Sequence, residues 1–294
     1  QNALVLSKGL REAYETRPEI KSLIDTAKAI EGMPRNASTH ASGVVITRRP
    51  VVDYVPLATN DGLVVTQYTM TTLEELGLLK MDFLGLRNLT VMDDAAKMIR
   101  RTHPDFDARV IPEDDPAVFQ MLGEGKTAGV FQLESSGITG VCTSLKPQSM
   151  EDIVALIALY RPGPMASIPR FIECKHHPEK VSYKHPALEP ILSSTYGCIV
   201  YQEQVLQIFQ RLAGYALGQA DMVRRAMSKK KVKDIEKERT AFLHGDPERN
   251  ITGCVANGIP EDVAQSIYDE IYAFAEYAYN KAHAVCYAVV TYRT

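Results

Sequence analysis

Gly77-Leu-Leu-Lys-Met-Asp-Phe-Leu-Gly85 is short, apolar and alternating, and it carries a lysine and an aspartate two residues apart. Strand alternation puts Leu79, Met81 and Phe83 on one face and Lys80 and Asp82 on the other. A charged pair on an otherwise apolar strand needs a partner or a metal wherever it is buried. Two readings follow. Asp82 is a carboxylate ligand for Mg²⁺ beside a lysine that meets phosphate, or the pair is an ordinary solvated strand face.

Around this stretch the pattern changes twice. Residues 42–47 (SGVVIT) and 63–69 (LVVTQYT) also read as strands, β-branched and bounded by turn residues. Residues 3–31 read as helix, broken at Arg17-Pro18, with Ile20, Leu23, Ile24, Ala27 and Ile30 on one face. Beyond Asn88 the spacing predicts helices over 88–101, 115–122, 149–159, 200–212, 218–227, 231–243, 260–275 and 280–293, and one more short strand at 129–134 (GVFQLE). Asp115 is the expected N-cap of its helix. The fold class is therefore α+β and mostly helical. The expected division is a helical tail to residue 38, a small β segment over 39–88, and a helical region over 89–294.

The chain has 294 residues, 45% hydrophobic and 23% charged, with a formal charge of −3. That balance excludes disordered and collagen-like classes; it leaves room for a local basic patch. No apolar run reaches the roughly 18 residues that cross a bilayer. The five cysteines form no CxxC pair, so reduced thiols in a cytoplasm are expected rather than disulfides or zinc. With no initiator Met and an end inside an apolar run, the sequence reads as a piece of a longer protein.

Three further stretches attract attention. In RRAMSKKKVK (224–233) six of ten residues are basic and none is acidic. Arg224, Arg225, Lys229, Lys230 and Lys231 form a ridge suited to phosphates, or a solvated helix end. In YNKAHAVCYAVV (279–290), Asn280, Lys281 and His283 crowd the start of an apolar helix; this is an anion site or simple N-capping by Asn280. Arg161, in ALYRPGPMAS (158–167), is fixed by the prolines that follow, either for function or to cap its helix. His176-His177 with Cys174 reads as surface loop, and Arg35 and His40 as part of a connecting turn. Neither GxGxxG nor GxxxxGK[ST] occurs, against Rossmann and P-loop chemistry.

Taken together, RNASTHASGVVI, LLKMDFLGLRNLTV, GVFQLESSG, DIVALIALYRPGP, YGCIVYQEQV, AGYALGQADMVRRAMSKKK and YNKAHAVCYAVVTY resemble the family C replicative DNA polymerases, the bacterial DNA polymerase III alpha subunits. The matches run in order from about residue 30 to the end. The resemblance implies a palm of polymerase-β-like nucleotidyltransferase fold, in which three aspartates hold two Mg²⁺ ions, followed by a large helical fingers domain. Asp82 matches the third aspartate, and the family's Asp-x-Asp pair would lie upstream of Gln1. Lys80 matches a lysine near the incoming phosphates, and Arg224 and Arg225 match finger arginines that meet the triphosphate. Lys229–Lys231, Arg161, Asn280, Lys281 and His283 fall in other motifs with looser roles. Residues 1–38 would end the thumb, 39–88 finish the palm, and 89–294 form an incomplete fingers domain. The implied partners are primer-template DNA and dNTPs, with the sliding clamp and other replisome subunits met through regions outside this chain, and no membrane. Such a piece, with one of three metal carboxylates, is expected to be inactive alone. The rival readings are a DNA- or nucleotide-binding module without catalysis and a translesion paralogue of the same family.

Overall fold

The computed structural model describes residues 2–33, 38–161, 164–228, 232–275 and 279–294. Lys229, Lys230, Lys231 and Arg35, named above, lie outside the described residues. The chain divides into two compact units, residues 1–85 and 86–294.

The first unit opens with helices α1 (Asn2–Leu6), α2 (Lys8–Thr16) and α3 (Pro18–Ile30). Ser7 caps α2 by accepting from the Leu10 N–H, and Pro18 starts α3 at the position where its missing N–H costs nothing. Tyr14 donates to Asp25 across the pair at 2.7 Å. Then come β1 (Gly43–Ile46), β2 (Leu57–Asn60), β3 (Leu63–Thr66), α4 (Met70–Glu75) and β4 (Leu79–Asp82). β2 and β3 form a hairpin closed by Asp61 and Gly62, both left-handed, as a two-residue turn of this hand requires. The β2 strand is one the sequence pattern did not single out. β1 pairs antiparallel with β4 in the register Gly43↔Asp82, Val44↔Met81, Val45↔Lys80 and Ile46↔Leu79.

The second unit holds α5 (Arg87–Ile99), α6 (Pro116–Gly123), α7 (Ser136–Leu145), α8 (Met150–Leu159), α9 (Ile168–His176), α10 (Glu189–Leu192), α11 (Gln202–Ala213), α12 (Leu217–Ser228), α13 (Val232–His244), α14 (Glu261–Ala275) and α15 (Lys281–Arg293). Asp115 caps α6 as expected, accepting from the Ala117 N–H at 2.9 Å. One core centres on α8, every residue of which from Asp152 to Leu159 is buried. Ala284 and Ala288, one turn apart on α15, face this core, and their small size admits a close helix contact. A second core gathers Phe209, Phe242 and Tyr268 from α11, α13 and α14, with ring centroids 5.0 Å apart for the two phenylalanines.

The expected strand at 129–134 is absent. Gln132 is left-handed (φ 67°), and turn bonds run from the Val130 N–H to Thr127 O and from the Leu133 N–H to Val130 O. Val130, Phe131 and Leu133 are buried all the same, so the alternation reflects a folded turn with its apolar side chains in the core. Cys174, expected in a surface loop, is buried on α9. Among the described residues no helix is long and apolar enough to cross a membrane.

Candidate functional site

In the first unit, Lys80 and Asp82 project from the same face of β4, and the Lys80 ammonium donates to Asp82 Oδ1. The lysine side chain is 14% exposed and the aspartate 42%. The alternation read from sequence holds, but its burial is the reverse of a simple half-buried strand. Val44, Ile46, Leu79 and Met81 share the other face of the ribbon and are all exposed, whereas Lys80 is shielded. His40, treated above as part of a turn, stands beside the pair. Its Nδ1 lies 3.9 Å from Asp82 Oδ1 and accepts the Ser42 N–H at 3.2 Å. The hydrogen bond from Lys80 holds the Asp82 carboxyl below the usual carboxylate range; burial opposes it, and the charges of Lys80 and His40 add to it. Asp82 is thus an ionised acceptor at neutral pH. A cavity of about 610 Å³ opens next to it, lined by His40, Gly43, Val45, Thr66, Tyr68 and Lys80 among others.

A hard cation such as Mg²⁺ takes carboxylate oxygens. Asp82, ionised and half-exposed, fits as one ligand. Among the described residues no three His, Cys, Asp or Glu side chains gather to complete a set.

In the second unit, Arg224 and Arg225 lie on α12 and converge on Asp221 one turn earlier. Arg224 donates to Asp221 Oδ1 from Nε at 3.0 Å and Nη2 at 2.8 Å, and Arg225 Nη2 reaches Oδ2 at 2.8 Å. The two differ in access: the Arg224 side chain is 18% exposed and the Arg225 side chain 69%. The start of α12 is tied down by Gln219, whose amide donates to Arg249 O, while the Arg249 guanidinium pairs with Glu238 and Asp246, each at 2.6 Å.

At α15, Asn280 is the N-cap, its Oδ1 accepting the His283 N–H at 2.9 Å. Glu203 of α11 accepts from the Lys281 N–H with both oxygens and from Asn280 Nδ2. A carboxylate of the protein itself therefore takes the place an external anion would take at this helix start. Lys281 Nζ lies over the Tyr201 ring at 5.3 Å, and His283 packs between Tyr279 and Tyr287. The Arg161 backbone N–H donates to Leu159 O, the last carbonyl of α8, at 2.8 Å, while its side chain turns to Tyr279. Its guanidinium lies 4.2 Å from the centre of the Tyr279 ring and donates to that hydroxyl at 3.0 Å. Arg161 and His283, 122 positions apart, thus meet the same tyrosine, which sequence spacing did not reveal.

Family models match both parts of the chain. Residues 1–85 match the bacterial DNA polymerase III alpha NTPase domain, and residues 88–250 the bacterial DNA polymerase III alpha subunit finger domain. Among curated relatives, DNA polymerase III subunit alpha of Borreliella burgdorferi is 45% identical over 97% of this chain and 24% of its own length. The subunit of Thermus aquaticus is 46% identical over the whole chain and 24% of its own length, and that of Staphylococcus epidermidis 44% over 96% and 27%. The chain spans about a quarter of the length of these relatives. Identity near one half along the entire sequence, together with two adjoining domain matches, makes this chain a member of the bacterial DNA polymerase III alpha subunit family.

Proposed function

We propose that the chain is part of a cytoplasmic, DNA-templated DNA polymerase that adds dNTPs to a primer 3′-hydroxyl, with residues 1–38 ending the thumb, 39–88 finishing the palm and 89–294 belonging to the fingers. The observation that carries this reading is the Asp82–Lys80 pair at the end of β4, within a chain whose relatives are named as polymerase subunits. Asp82 is one ligand of the metal centre. When bound, two Mg²⁺ ions would supply the positive charge that activates the hydroxyl and stabilises leaving pyrophosphate. Lys80 favours the ionised carboxylate and holds one of its oxygens. Arg225 offers an exposed guanidinium fork to triphosphate oxygens, and Arg224 braces it through their shared Asp221. Phosphoryl transfer depends chiefly on such positioning and charge. Primer-template DNA and dNTPs are the substrates; the clamp and other replisome subunits bind elsewhere on the longer subunit.

The test is primer extension by the full-length subunit, wild type against Asp82→Asn, with DNA affinity measured alongside. Loss of one metal ligand should remove several kcal/mol of transition-state stabilisation, roughly a thousandfold in rate, at preserved DNA affinity. Equal rates would refute the role given to Asp82, and DNA binding without extension by either protein would favour a non-catalytic module.

A further inference from the structure

Gly43 stands directly opposite Asp82 in the β1–β4 register. A Cβ placed on it would lie 2.8 Å from Lys80 Cε, 2.9 Å from His40 Nδ1 and 3.1 Å from Asp82 Oδ1. The three groups of the site therefore occupy the volume that any side chain at this position would fill. The contrast with Gly253 is instructive. There a Cβ would meet backbone, 2.3 Å from Gly245 N, and the left-handed φ of 84° also excludes other residues, so that glycine serves the fold. Gly43 has no left-handed φ, and the three atoms nearest its Cβ position all belong to side chains. No positive φ calls for glycine here; the closure of Lys80 and His40 onto Asp82 does.

We propose that Gly43 is a positioning residue for the Asp82 site: its missing side chain lets Lys80 and His40 close on Asp82 Oδ1. The role rests on the function proposed above for Asp82, but the geometry it controls is measurable without catalysis. Alanine at this position pushes the Lys80 stem outward, because the far end of a long side chain moves more easily than a paired strand. The carboxylate then loses its strongest hydrogen bond while the ribbon keeps its register.

Two measurements test this. The first follows the Lys80 side-chain ammonium of the 294-residue chain by ¹⁵N NMR, together with the amide pattern of β1 and β4. Gly43→Ala should abolish the hydrogen-bonded ammonium signal, as Asp82→Asn does, with the strand amides still paired. A retained signal, or loss of the strand pattern, would overturn the inference. The second is a double-mutant cycle for primer extension in the full-length subunit. Gly43→Ala should lower kcat roughly tenfold to a hundredfold, the scale of one lost charge-assisted hydrogen bond, with DNA affinity unchanged. In a Lys80→Ala background, where the obstructed stem is gone, the same substitution should cost less than about threefold, since coupled positions do not add. Additive losses would show that Gly43 acts on the fold rather than through Lys80. If Asp82→Asn leaves extension intact, the proposed function fails, and the NMR result still decides whether Gly43 sets the Lys80–Asp82 contact.

Discussion

Lys175→Met tests how the second unit is held together. Lys175, on α9, is 6% exposed at its side chain, and its partner Asp152, on α8, is 4% exposed. The ammonium donates to Asp152 Oδ2 at 3.0 Å, to Leu145 O at 3.3 Å and to Lys146 O at 2.9 Å. Leu145 ends α7 and Lys146 is its left-handed cap, so one cation satisfies the negative end of α7 while pinning α8 to α9. Asp152 also accepts the Gln148 N–H at 2.8 Å. The nearby Tyr196 hydroxyl is pushed up in pKa, first by burial and then by this carboxylate. Methionine keeps the stem volume and removes the charge, which leaves a buried carboxylate and two carbonyls without their donor. Breaking one side of a buried pair costs about 3–5 kcal/mol. Three hydrogen bonds from a charged donor, at about 1.5 kcal/mol each, reach the same range. The assay is urea unfolding of the chain followed by circular dichroism, since it contains no tryptophan. Adding Asp152→Asn to Lys175→Met removes the stranded charge and should recover more than about 1 kcal/mol relative to additivity. A loss below about 1 kcal/mol for Lys175→Met, or simple additivity in the double variant, would refute the account.

Arg225→Ala and Arg224→Ala should separate function from stability. The exposed Arg225 should raise the dNTP KM of the full-length subunit roughly tenfold or more, the size of a lost charge-assisted contact, and leave the urea midpoint nearly unchanged. The shielded Arg224 should lower the midpoint. Identical effects of the two on KM, with neither altering stability, would contradict the geometry. Thiol titration offers a third check. Burial pushes Cys142 and Cys198 up to about 11 and Cys254 up to about 12, and Cys174 is buried too, while Cys286 is exposed. An aromatic disulfide reagent at pH 8 should modify one thiol quickly in the native chain and all five in denaturant; two or more fast thiols would show that the buried set is misplaced.

The elements that sequence revealed are those whose determinants are local. Arg17-Pro18 breaks a helix whatever surrounds it, and Asp115 caps the turn that follows it. The α7 helix escaped because Ser-Gly-Ile-Thr-Gly-Val-Cys-Thr-Ser-Leu has weak helix propensity. It is fixed instead by burial of Ile138, Cys142 and Leu145 at helical spacing, against the neighbouring helices α6, α8 and α9. At the site, the alternation of β4 exposed the Lys80–Asp82 pair, but His40 reaches it only through the register that sets Gly43 opposite Asp82. No short-range pattern carries that register. The basic stretch misled in a smaller way: a window opened at Arg224 omits Asp221, the acid one helical turn earlier that both arginines share.

Carboxylate partners recur among the described cationic groups assigned to phosphate, and their strengths differ in a way that orders the candidates. An exposed ion pair is worth about 0–1 kcal/mol, so under the proposed function the Asp221 contact would add little to the cost of turning Arg225 to a triphosphate, and it orients the guanidinium until then. Glu203 is a different kind of partner. It binds two backbone-anchored donors at the start of α15, the Lys281 N–H and the Asn280 amide, and so fixes where that helix begins relative to α11. Displacing it would unmake a helix cap, at a typical cost near 1 kcal/mol, and would also loosen the segment that presents His283. Under the proposed function, a nucleotide at α12 would be met by a side chain released from its acid. At α15 the Lys281 and His283 N–H groups are already bonded to Glu203 and Asn280, which leaves the side chains of Lys281 and His283, rather than the helix N–H groups, to any phosphate that would bind there.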